Sequence, residues 1–271
     1  MAGTTVPAAT SGPSSGEGSG DRVDGSGGVD GSDSGGSAES VESAESVESA
    51  DSADSAAREI RGYAIVCAIS GVVFAALVIA SMVLLLQAPG LSDPDAVYAA
   101  FYADGGDVLV TVGMHLVPFA GIAWLWHMTA TRNLVEAHPG PPSKLPFGLH
   151  LASGILFVAM MFASAAAVGA PALLGVFTTL PPPSPEVARS LAGVGYAFAF
   201  IYGVRAAGMY MMTMTSTMRT TGLLPRWLVV LGYLAATFLL VNTTYHPSTL
   251  LVFPSWVIVV SATLVFRALR R

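Results

Sequence analysis

Six long apolar stretches alternate with short polar ones from residue 60 to the end of the chain. A helix needs about 20 mostly apolar residues to cross a hydrocarbon core of roughly 30 Å. The pattern predicts six membrane-spanning helices, the fifth of them short, at residues 63–86, 108–129, 147–177, 191–215, 227–241 and 249–266. The predicted fold class is therefore all-α, a six-span transmembrane helical bundle.

The first 59 residues have a different texture, dominated by Gly, Ser, Ala, Asp and Glu and without Phe, Trp, Tyr, Leu or Cys. Such a segment buries too little apolar surface to offset the entropy of ordering it. Residues 38–55 repeat in triplets of Ala or Val, an acid and Ser, a period that matches neither helix nor strand. We therefore expect residues 1–59 to be a disordered acidic cytoplasmic tail and residues 60–271 to be the transmembrane domain. The tail acts as a solvated tether or as a segment that binds a protein partner.

Composition and charge support this division of the chain. Hydrophobic residues make up 53% of the sequence and charged residues only 11%, against about 25% charged in ordinary soluble domains. The formal charge of −6 comes from the acidic tail, because the remaining residues carry more bases than acids. The sequence thus predicts an integral membrane protein with the lipid bilayer as its main partner and no nucleic-acid partner.

Basic residues near the ends of the spans predict the orientation of the chain, since they collect on the cytoplasmic side. With six spans, nine basic residues fall on the side of the tail: Arg58, Arg61, Arg132, Lys144, Arg219, Arg226, Arg267, Arg270 and Arg271. The other side carries Arg189 and five acids: Asp93, Asp95, Asp104, Asp107 and Glu186. We expect a multi-pass protein of the plasma (inner) membrane with both termini cytoplasmic.

Arg205 is the residue that points most directly to function, because it falls midway along the fourth predicted span. A charge at mid-membrane costs at least about 2.5 kcal/mol and is expected to face the bundle interior, a cavity or a partner. No acid of the body lies at its depth. One interpretation is a packing clamp on the carbonyls of Met114 and Leu250, which Pro118 and Pro254 leave free. The other is a site for a small anion or an anionic lipid headgroup.

Tyr202 lies on the same helical face as Arg205 and is the second predicted ligand-binding residue. Small residues at four-residue spacing occupy another face of the span: Gly195, Ala199, Gly203 and Ala207. This ridge predicts close packing against the third span, which offers Ala159, Ala163 and Ala167 in the same rhythm.

The remaining candidates for chemistry are weaker. His127 and His150 fall at similar depth on adjacent spans, where they could ligate a haem iron axially or make simple polar contacts. Five methionines crowd the inner end of span four without sharing one face, and Cys67 stands alone, so no cofactor or metal is predicted.

Trp124, Trp126 and Trp227 are interpreted as interfacial anchors. In the loop at residues 87–107, Tyr98, Phe101 and Tyr102 predict a short interfacial helix.

No catalytic motif is present, so the sequence favours a non-enzymatic role and offers no catalytic residue. Two functions rank ahead of a third, a redox membrane enzyme. The first is binding or transport of a small anion or lipid headgroup near Arg205 and Tyr202. The alternative is a non-catalytic membrane scaffold or accessory subunit, with contacts made by the small-residue ridge and the tail.

Two short motifs near the end of the chain carry a resemblance. Pro225-Arg226-Trp227 and Phe253-Pro254-Ser255-Trp256, within the last spans, resemble the C-terminal part of uncharacterised multi-pass inner-membrane proteins of high-GC actinobacteria. One Lys against eleven Arg fits a GC-rich genome. The resemblance implies an inner-membrane protein and transfers no activity or functional residue.

Overall fold

The structure, a computed structural model, describes residues 35–103, 105, 107–137, 144–179 and 181–270, with only helical backbone for residues 35–50 and 144–147. The chain divides into two units, residues 1–49 and residues 50–271. Side-chain contacts below all belong to the second unit. Asp104, Arg271, the side chain of Lys144 and the predicted disorder of residues 1–34 lie outside the described residues.

All regular structure in the described residues is helical. The helices are α1 Gly35–Leu85, α2 Asp95–Ala103, α3 Asp107–Glu136, α4 Lys144–Phe177, α5 Pro185–Tyr196, α6 Val204–Thr220, α7 Arg226–Val241 and α8 Ser248–Arg270. A π-helical segment, Ala197–Gly203, joins α5 to α6 without a break. The fourth predicted span is therefore the middle of a longer helix that starts with a Pro, as many helices do.

Helix α1 begins at Gly35, so residues 35–59 are helical where their composition predicts disorder. The reason lies in the apolar segment that follows. A helix that already exists can lengthen into adjoining Ala- and Glu-rich sequence without a new nucleation step. Two pairs at i,i+4 support the extension: Arg58 bonds to Asp54 at 2.7 Å and the Tyr63 hydroxyl donates to Glu59 at 2.7 Å.

Five helical stretches are long and apolar enough to cross a membrane. They are Asp51–Leu85, Asp107–Glu136, Gly148–Phe177, Pro185–Thr220 and Ser248–Arg270. Helix α7, which corresponds to the fifth predicted span, is apolar but has only 16 residues, about 24 Å at 1.5 Å per residue. Five candidate spans are thus present in the described residues, and the sixth predicted span is shorter than they are.

Helices α1 and α3 run antiparallel, and so do α6 and α7, as two separate cross-helix contacts in each pair show. Between α1 and α3, Cys67 contacts Thr131 while the Ser81 hydroxyl donates to the carbonyl of Gly113 at 2.8 Å. Between α6 and α7, Ser216 bonds to Tyr233 at 2.9 Å while Arg205 reaches Asn242. The bundle therefore has an up-and-down arrangement.

Aromatic rings from five helices fill the centre of the bundle. Phe74, Trp124, Phe157, Tyr210 and Phe253 pack with ring centroids 4.6–6.1 Å apart. Trp124 is fully buried here, and its indole N–H donates to the carbonyl of Gly154 at 3.2 Å. The prediction that Trp124 is an interfacial anchor is therefore wrong, whereas Trp126 and Trp227 are exposed as an anchor requires.

The small-residue ridge packs against α4, the predicted partner, and Val168 and Ser164 supply the closest contacts at Gly195. A Cβ on Gly195 would lie 2.5 Å from Val168 and 2.9 Å from the carbonyl of Ser164. Ala159 is exposed on another face of α4. Alanine spacing alone does not determine which face of a helix turns inward, because bulkier Val and Met side chains can also pack against a glycine.

The predicted helix in the loop at residues 87–107 is present as α2. Tyr98 is buried, and its hydroxyl donates to the carbonyls of Pro89 at 3.2 Å and Gly90 at 3.0 Å. Arg189 of α5 bonds to Asp95 at 2.7 Å and lies over the Tyr98 ring at 4.8 Å. These contacts fasten α2 to the end of the bundle where α5 begins.

Candidate functional site

Arg205 occupies the first turn of α6, directly after the π-helical segment. One guanidinium nitrogen, Nη1, donates to the carbonyls of Phe200 at 3.1 Å and Ile201 at 2.9 Å. The other, Nη2, donates to the carbonyl of Asn242 at 3.3 Å. The guanidinium thus donates hydrogen bonds to backbone carbonyls of its own helix and of the residue that follows α7.

The predicted carbonyl partners of Arg205, those of Met114 and Leu250, are not the ones observed. The π-helical turn explains the difference. In such a turn the backbone bonds to the residue five positions back, as Val204 does to Ala199, and nearby carbonyls become accessible to a side chain. Carbonyl contacts of the kind that the clamp interpretation predicts are therefore present, with Phe200, Ile201 and Asn242 as the acceptors.

The contacts of Arg205 also show where it lies along α7. Its contact with Asn242, the residue that follows α7, places it level with the C-terminal end of that helix. Arg205 is about 21 Å from Arg219 at 1.5 Å per residue. Arg205 is midway along the stretch Pro185–Thr220. It is nevertheless level with one end of α7, because the longer helix extends beyond that end of α7.

A groove of about 660 Å³ runs along α6 between α4 and α7, and both predicted ligand-binding residues line it. Its lining consists mainly of aliphatic, Met and aromatic side chains: Leu149, Ala152, Ser153, Leu156, Met160, Phe198, Tyr202, Arg205, Ala206, Met209 and Leu240. We call it the Arg205 groove. Tyr202 is 55% exposed, and Leu149 and Leu156 are exposed as well, so the groove opens to the side of the bundle.

Few polar groups are available within the Arg205 groove. An Arg has five N–H donors, and Arg205 uses three of them on carbonyls. Its Nε–H and one Nη2–H have no partner among the described residues, and the same is true of the Tyr202 hydroxyl. The groove thus combines a long apolar wall with one fixed positive charge and a phenol.

A second group of polar side chains lies inside the bundle, and sequence reasoning missed it. Cys67 Sγ lies 3.2 Å from Thr131 Oγ1 and 3.7 Å from His127 Nδ1. His127 Nδ1 also lies 2.9 Å from the carbonyl oxygen of Cys67, and all three residues are buried. The spacing of His127 and Thr131 at i,i+4 was the available signal, because it puts both side chains on one face of α3.

The two buried histidines are separated by aromatic rings. Trp124 stacks on His127 at 5.3 Å, Tyr210 stacks on His150 at 4.1 Å, and Trp124 and Tyr210 are 4.6 Å apart. His150 also contacts Thr213 at 3.3 Å. Axial ligation of one haem by this pair would require both rings to leave, so the geometry fits polar contacts within the core better.

The methionines of α6 divide between core and surface. Met211, Met214 and Met218 are buried in the hydrophobic core at i, i+3 and i+7, on one face of the helix. Met209 and Met212 lie on other faces. In the part of the chain that the structure describes, no group of three or more His, Cys, Asp or Glu side chains could hold a metal ion.

Comparison with known proteins adds no further constraint on function. The chain matches no protein-family model, no curated protein and no solved structure. The site must therefore be interpreted from its own geometry.

Proposed function

We propose that this integral membrane protein binds an anionic amphiphile, a lipid with a negatively charged headgroup, in the Arg205 groove. The observation that carries the proposal is the guanidinium of Arg205 in the wall of an apolar groove that opens sideways. Its unused donors and the Tyr202 hydroxyl would contact the headgroup, while the apolar side chains would contact an acyl chain.

The shape of the groove favours a lipid over a small soluble anion. A soluble anion would gain the contact with Arg205 but would leave the apolar wall without a partner. A lipid satisfies both, since its chain can lie along Leu149, Leu156 and Met209 while its headgroup stays near Arg205. Lateral opening also lets a lipid enter directly from the bilayer.

We propose further that α7 is the sixth membrane crossing. It runs beside α6: Ser216 bonds to Tyr233 in the middle of α7, and Arg205 bonds to Asn242 directly after its C-terminal end. A length of about 24 Å suffices for a span that is only slightly tilted in a bilayer thinned by a few Å. With six crossings, nine of the basic residues fall on one side and Arg189 on the other, which favours cytoplasmic termini and a plasma-membrane location.

The test is the thermal stability of the full-length protein in detergent with three additions: phosphatidylglycerol, phosphatidylcholine and inorganic phosphate. We expect phosphatidylglycerol to raise the midpoint of unfolding of the wild type and the other two to leave it unchanged. Arg205→Gln should remain folded and lose this response. Arg219→Gln is the matched control, because it removes the same charge from an exposed position on α6 outside the groove.

Each other outcome has a definite meaning. If inorganic phosphate raises the midpoint as much as phosphatidylglycerol does, the ligand is a small anion. If Arg205→Gln and Arg219→Gln respond equally to phosphatidylglycerol, the groove is not the binding site. If no addition has an effect and Arg205→Gln only lowers the midpoint, Arg205 is a packing clamp, which favours the scaffold alternative. The three carbonyl bonds of Arg205 are the observation behind that alternative.

A further inference from the structure

The Arg205 groove carries its positive charge near one of its two ends. Arg205 donates to the carbonyls of Phe200 and Ile201, so its guanidinium lies about one helical turn before its own Cα, beside the π-helical segment. The same guanidinium donates to the carbonyl of Asn242, directly after α7. The charge is therefore level with the end of α7, where the loop at residues 242–247 leads to α8.

Helices α4 and α6 run antiparallel, which determines the depth of the other residues that line the groove. The Cβ position of Gly154 lies 3.1 Å from the Tyr210 ring, whereas that of Gly195 in α5 lies 2.5 Å from Val168. Helix α5 continues into α6 through the π-helical segment. Residues early in α4 therefore lie beside the second half of α6, and residues late in α4 lie beside α5.

The apolar lining extends much farther to one side of the charge than to the other. Toward α5 it ends at Phe198, about one turn from the carbonyl of Ile201. Toward the start of α7 it continues through Met209 to Leu149 and Ala152, which lie early in α4. From Ile201 to the level of Ala152 the distance is about 16 Å at 1.5 Å per residue. This is close to half of a hydrocarbon core of roughly 30 Å, which is the depth of one leaflet.

The polar groups that a ligand could use also collect at the charged end of the groove. Arg205 keeps two of its five N–H donors free, and the Tyr202 hydroxyl lies on the same helical face. The other hydroxyl of the lining, that of Ser153, is buried and donates to the carbonyl of His150 at 3.0 Å. Acidic side chains do not line the groove in the described part of the chain. An anionic headgroup therefore gains contacts only at this end.

We propose that the lipid in the Arg205 groove comes from the leaflet on the side of the loop at residues 242–247. Its headgroup lies at Arg205, and one acyl chain runs along the groove toward the start of α7. The inference rests on the proposed function, because it assigns an orientation to the lipid proposed there. With six crossings, this leaflet is the one opposite to the chain termini.

A lipid of the other leaflet fits the groove poorly. Its headgroup would lie beside Leu149 and Ala152, where the lining offers no charge and no free donor. Its acyl chain would end against the Arg205 guanidinium and leave the unused N–H donors facing hydrocarbon. The polarity of the groove thus matches one leaflet and not the other.

Photolabelling of the full-length protein in lipid nanodiscs tests the orientation. The probe is phosphatidylglycerol with a diazirine at the end of its acyl chain; on irradiation the diazirine loses dinitrogen, and the carbene inserts into an adjacent C–H bond. We expect peptide mass spectrometry to find this label mainly on Leu149, Ala152 and Met209. A second probe with the diazirine beside the ester carbonyl should label Phe198 and Tyr202 instead.

Two controls separate failure of this inference from failure of the proposed function. Phosphatidylcholine with the same chain-end diazirine should label the groove several-fold less, and Arg205→Gln should remove this preference for phosphatidylglycerol while Arg219→Gln retains it. The reverse pattern, with the chain-end label on Phe198 and Tyr202, would overturn the orientation but leave the proposed function intact. Equal labelling by the two lipids in the wild type, or no label in the groove, would overturn the proposed function itself.

Ala152→Phe gives a second measurement, because it fills the end of the groove where the acyl chain should finish. In detergent, we expect it to reduce the rise in the midpoint of unfolding caused by dipalmitoyl phosphatidylglycerol about twofold or more, and to leave the rise caused by the dioctanoyl lipid unchanged. Ala159→Phe is the matched control, since Ala159 is exposed on α4 outside the groove. An undiminished response of Ala152→Phe to the dipalmitoyl lipid would overturn the inference. A wild type that responds to neither lipid would overturn the proposed function.

Discussion

Gly71 is the residue at which α1, α3 and α8 come closest together, and its missing side chain is what allows it. Its Cβ position lies within 2.8 Å of polar atoms on both partner helices, which is closer than real Cβ contacts. We expect Gly71→Ala to lower the free energy of unfolding by about 1–3 kcal/mol, since overpacking forces the helices apart. Chemical or thermal unfolding of the full-length protein measures the change.

Gly62→Ala is the matched control for this prediction. Gly62 lies two and a half turns earlier on α1 and has nothing within 4 Å of its Cβ position. We expect that change to be neutral or to stabilise α1 by up to about 1 kcal/mol through helix propensity. Equal effects of the two substitutions would mean that the close approach at Gly71 is not limiting.

Among the tyrosines outside the membrane-spanning helices, Tyr102 of α2 has the pKa that departs most from the ordinary value. Burial raises the pKa of Tyr102 to about 12, and the nearby groups Tyr98 and Asp107 act in the same direction. In the unfolded chain the pKa of this phenol is about 10. Its contribution to stability is therefore complete below about pH 10 and is lost as the pH rises toward 12.

The phenolate absorbance of the wild type minus that of Tyr102→Phe measures this titration. We expect the difference to appear near pH 12 rather than near pH 10. The midpoint of unfolding of the wild type should fall over the same interval more steeply than that of the variant. A difference that titrates near its ordinary value would show that the Tyr102 hydroxyl is in contact with water.

The sequence predicted some of these residues and not others, for physical reasons. Arg205 and Tyr202, which line one groove, could be singled out because a charge and its i−3 neighbour stand out in an apolar helix. The group around Cys67 could not, since it depends on α1, α3 and α8 meeting at Gly71 and no local pattern encodes that meeting. Trp124 was misassigned because proximity to the end of a span does not reveal which way the indole points.

Helix α2 depends on one side chain of another element for its position. Arg189 donates to the carbonyl of Asp93 at 2.9 Å and to the carboxylate of Asp95 at 2.7 Å, and it covers the Tyr98 ring. We expect Arg189→Ala to speed amide hydrogen exchange in α2 about tenfold or more, because α2 then opens locally more often. Exchange in α3 should remain unchanged.

Ser190→Ala provides the comparison for α2, because Ser190 neighbours Arg189 but bonds only within α5, to the carbonyl of Glu186. Exchange in α2 should be the same in this variant as in the wild type. An equal increase in both variants would mean that α5 as a whole, rather than the Arg189 contacts, holds α2 in place.

Two helices differ from those that the sequence pattern predicts, one in its geometry and one in its length. The period of 3.6 residues over 191–215 predicts a regular α-helix, whereas the π-helical turn at Ala197–Gly203 widens it where Arg205 needs acceptors. No residue pattern within that segment predicts a π-helical turn. The free-energy cost of the turn is offset by the contact of Arg205 with Asn242 at the end of α7, which a local pattern does not encode. Likewise α1 extends to Gly35 since an adjoining stable helix can outweigh weak local preference.

At the scale of the whole molecule, an even number of crossings puts both ends of the bundle chain on one side. We expect reporters fused after Arg271 and before residue 50 to be accessible from the cytoplasm, and a reporter in the loop at 242–247 to be accessible from the opposite side. Enzymatic or fluorescent topology reporters in whole cells make the measurement. Termini on opposite sides would mean that α7 does not cross, as the count of five long apolar helices alone would allow.

The general architecture could be predicted because length and hydropathy determine it: a membrane-spanning helix must satisfy its backbone internally. The all-helical fold is confirmed in the described residues, and five of the predicted spans correspond to helices long and apolar enough to cross a membrane. Length and hydropathy do not determine whether α7 crosses the membrane, since 16 residues suit either a short span or a buried helix. Its packing along α6 carries information that hydropathy lacks.

Helix α8 is bonded to the hairpin of α6 and α7 at both of that hairpin's ends. Arg267 donates to the loop carbonyls of Gly222 and Leu223, and Asn242 donates to Thr249 at 3.3 Å. Since α8 leaves the ribosome after α6 and α7, the hairpin must wait in the bilayer with these groups unpaired until α8 has been synthesised. A chain that stops before α8 would therefore present an unfinished hairpin to the quality-control proteases of the membrane.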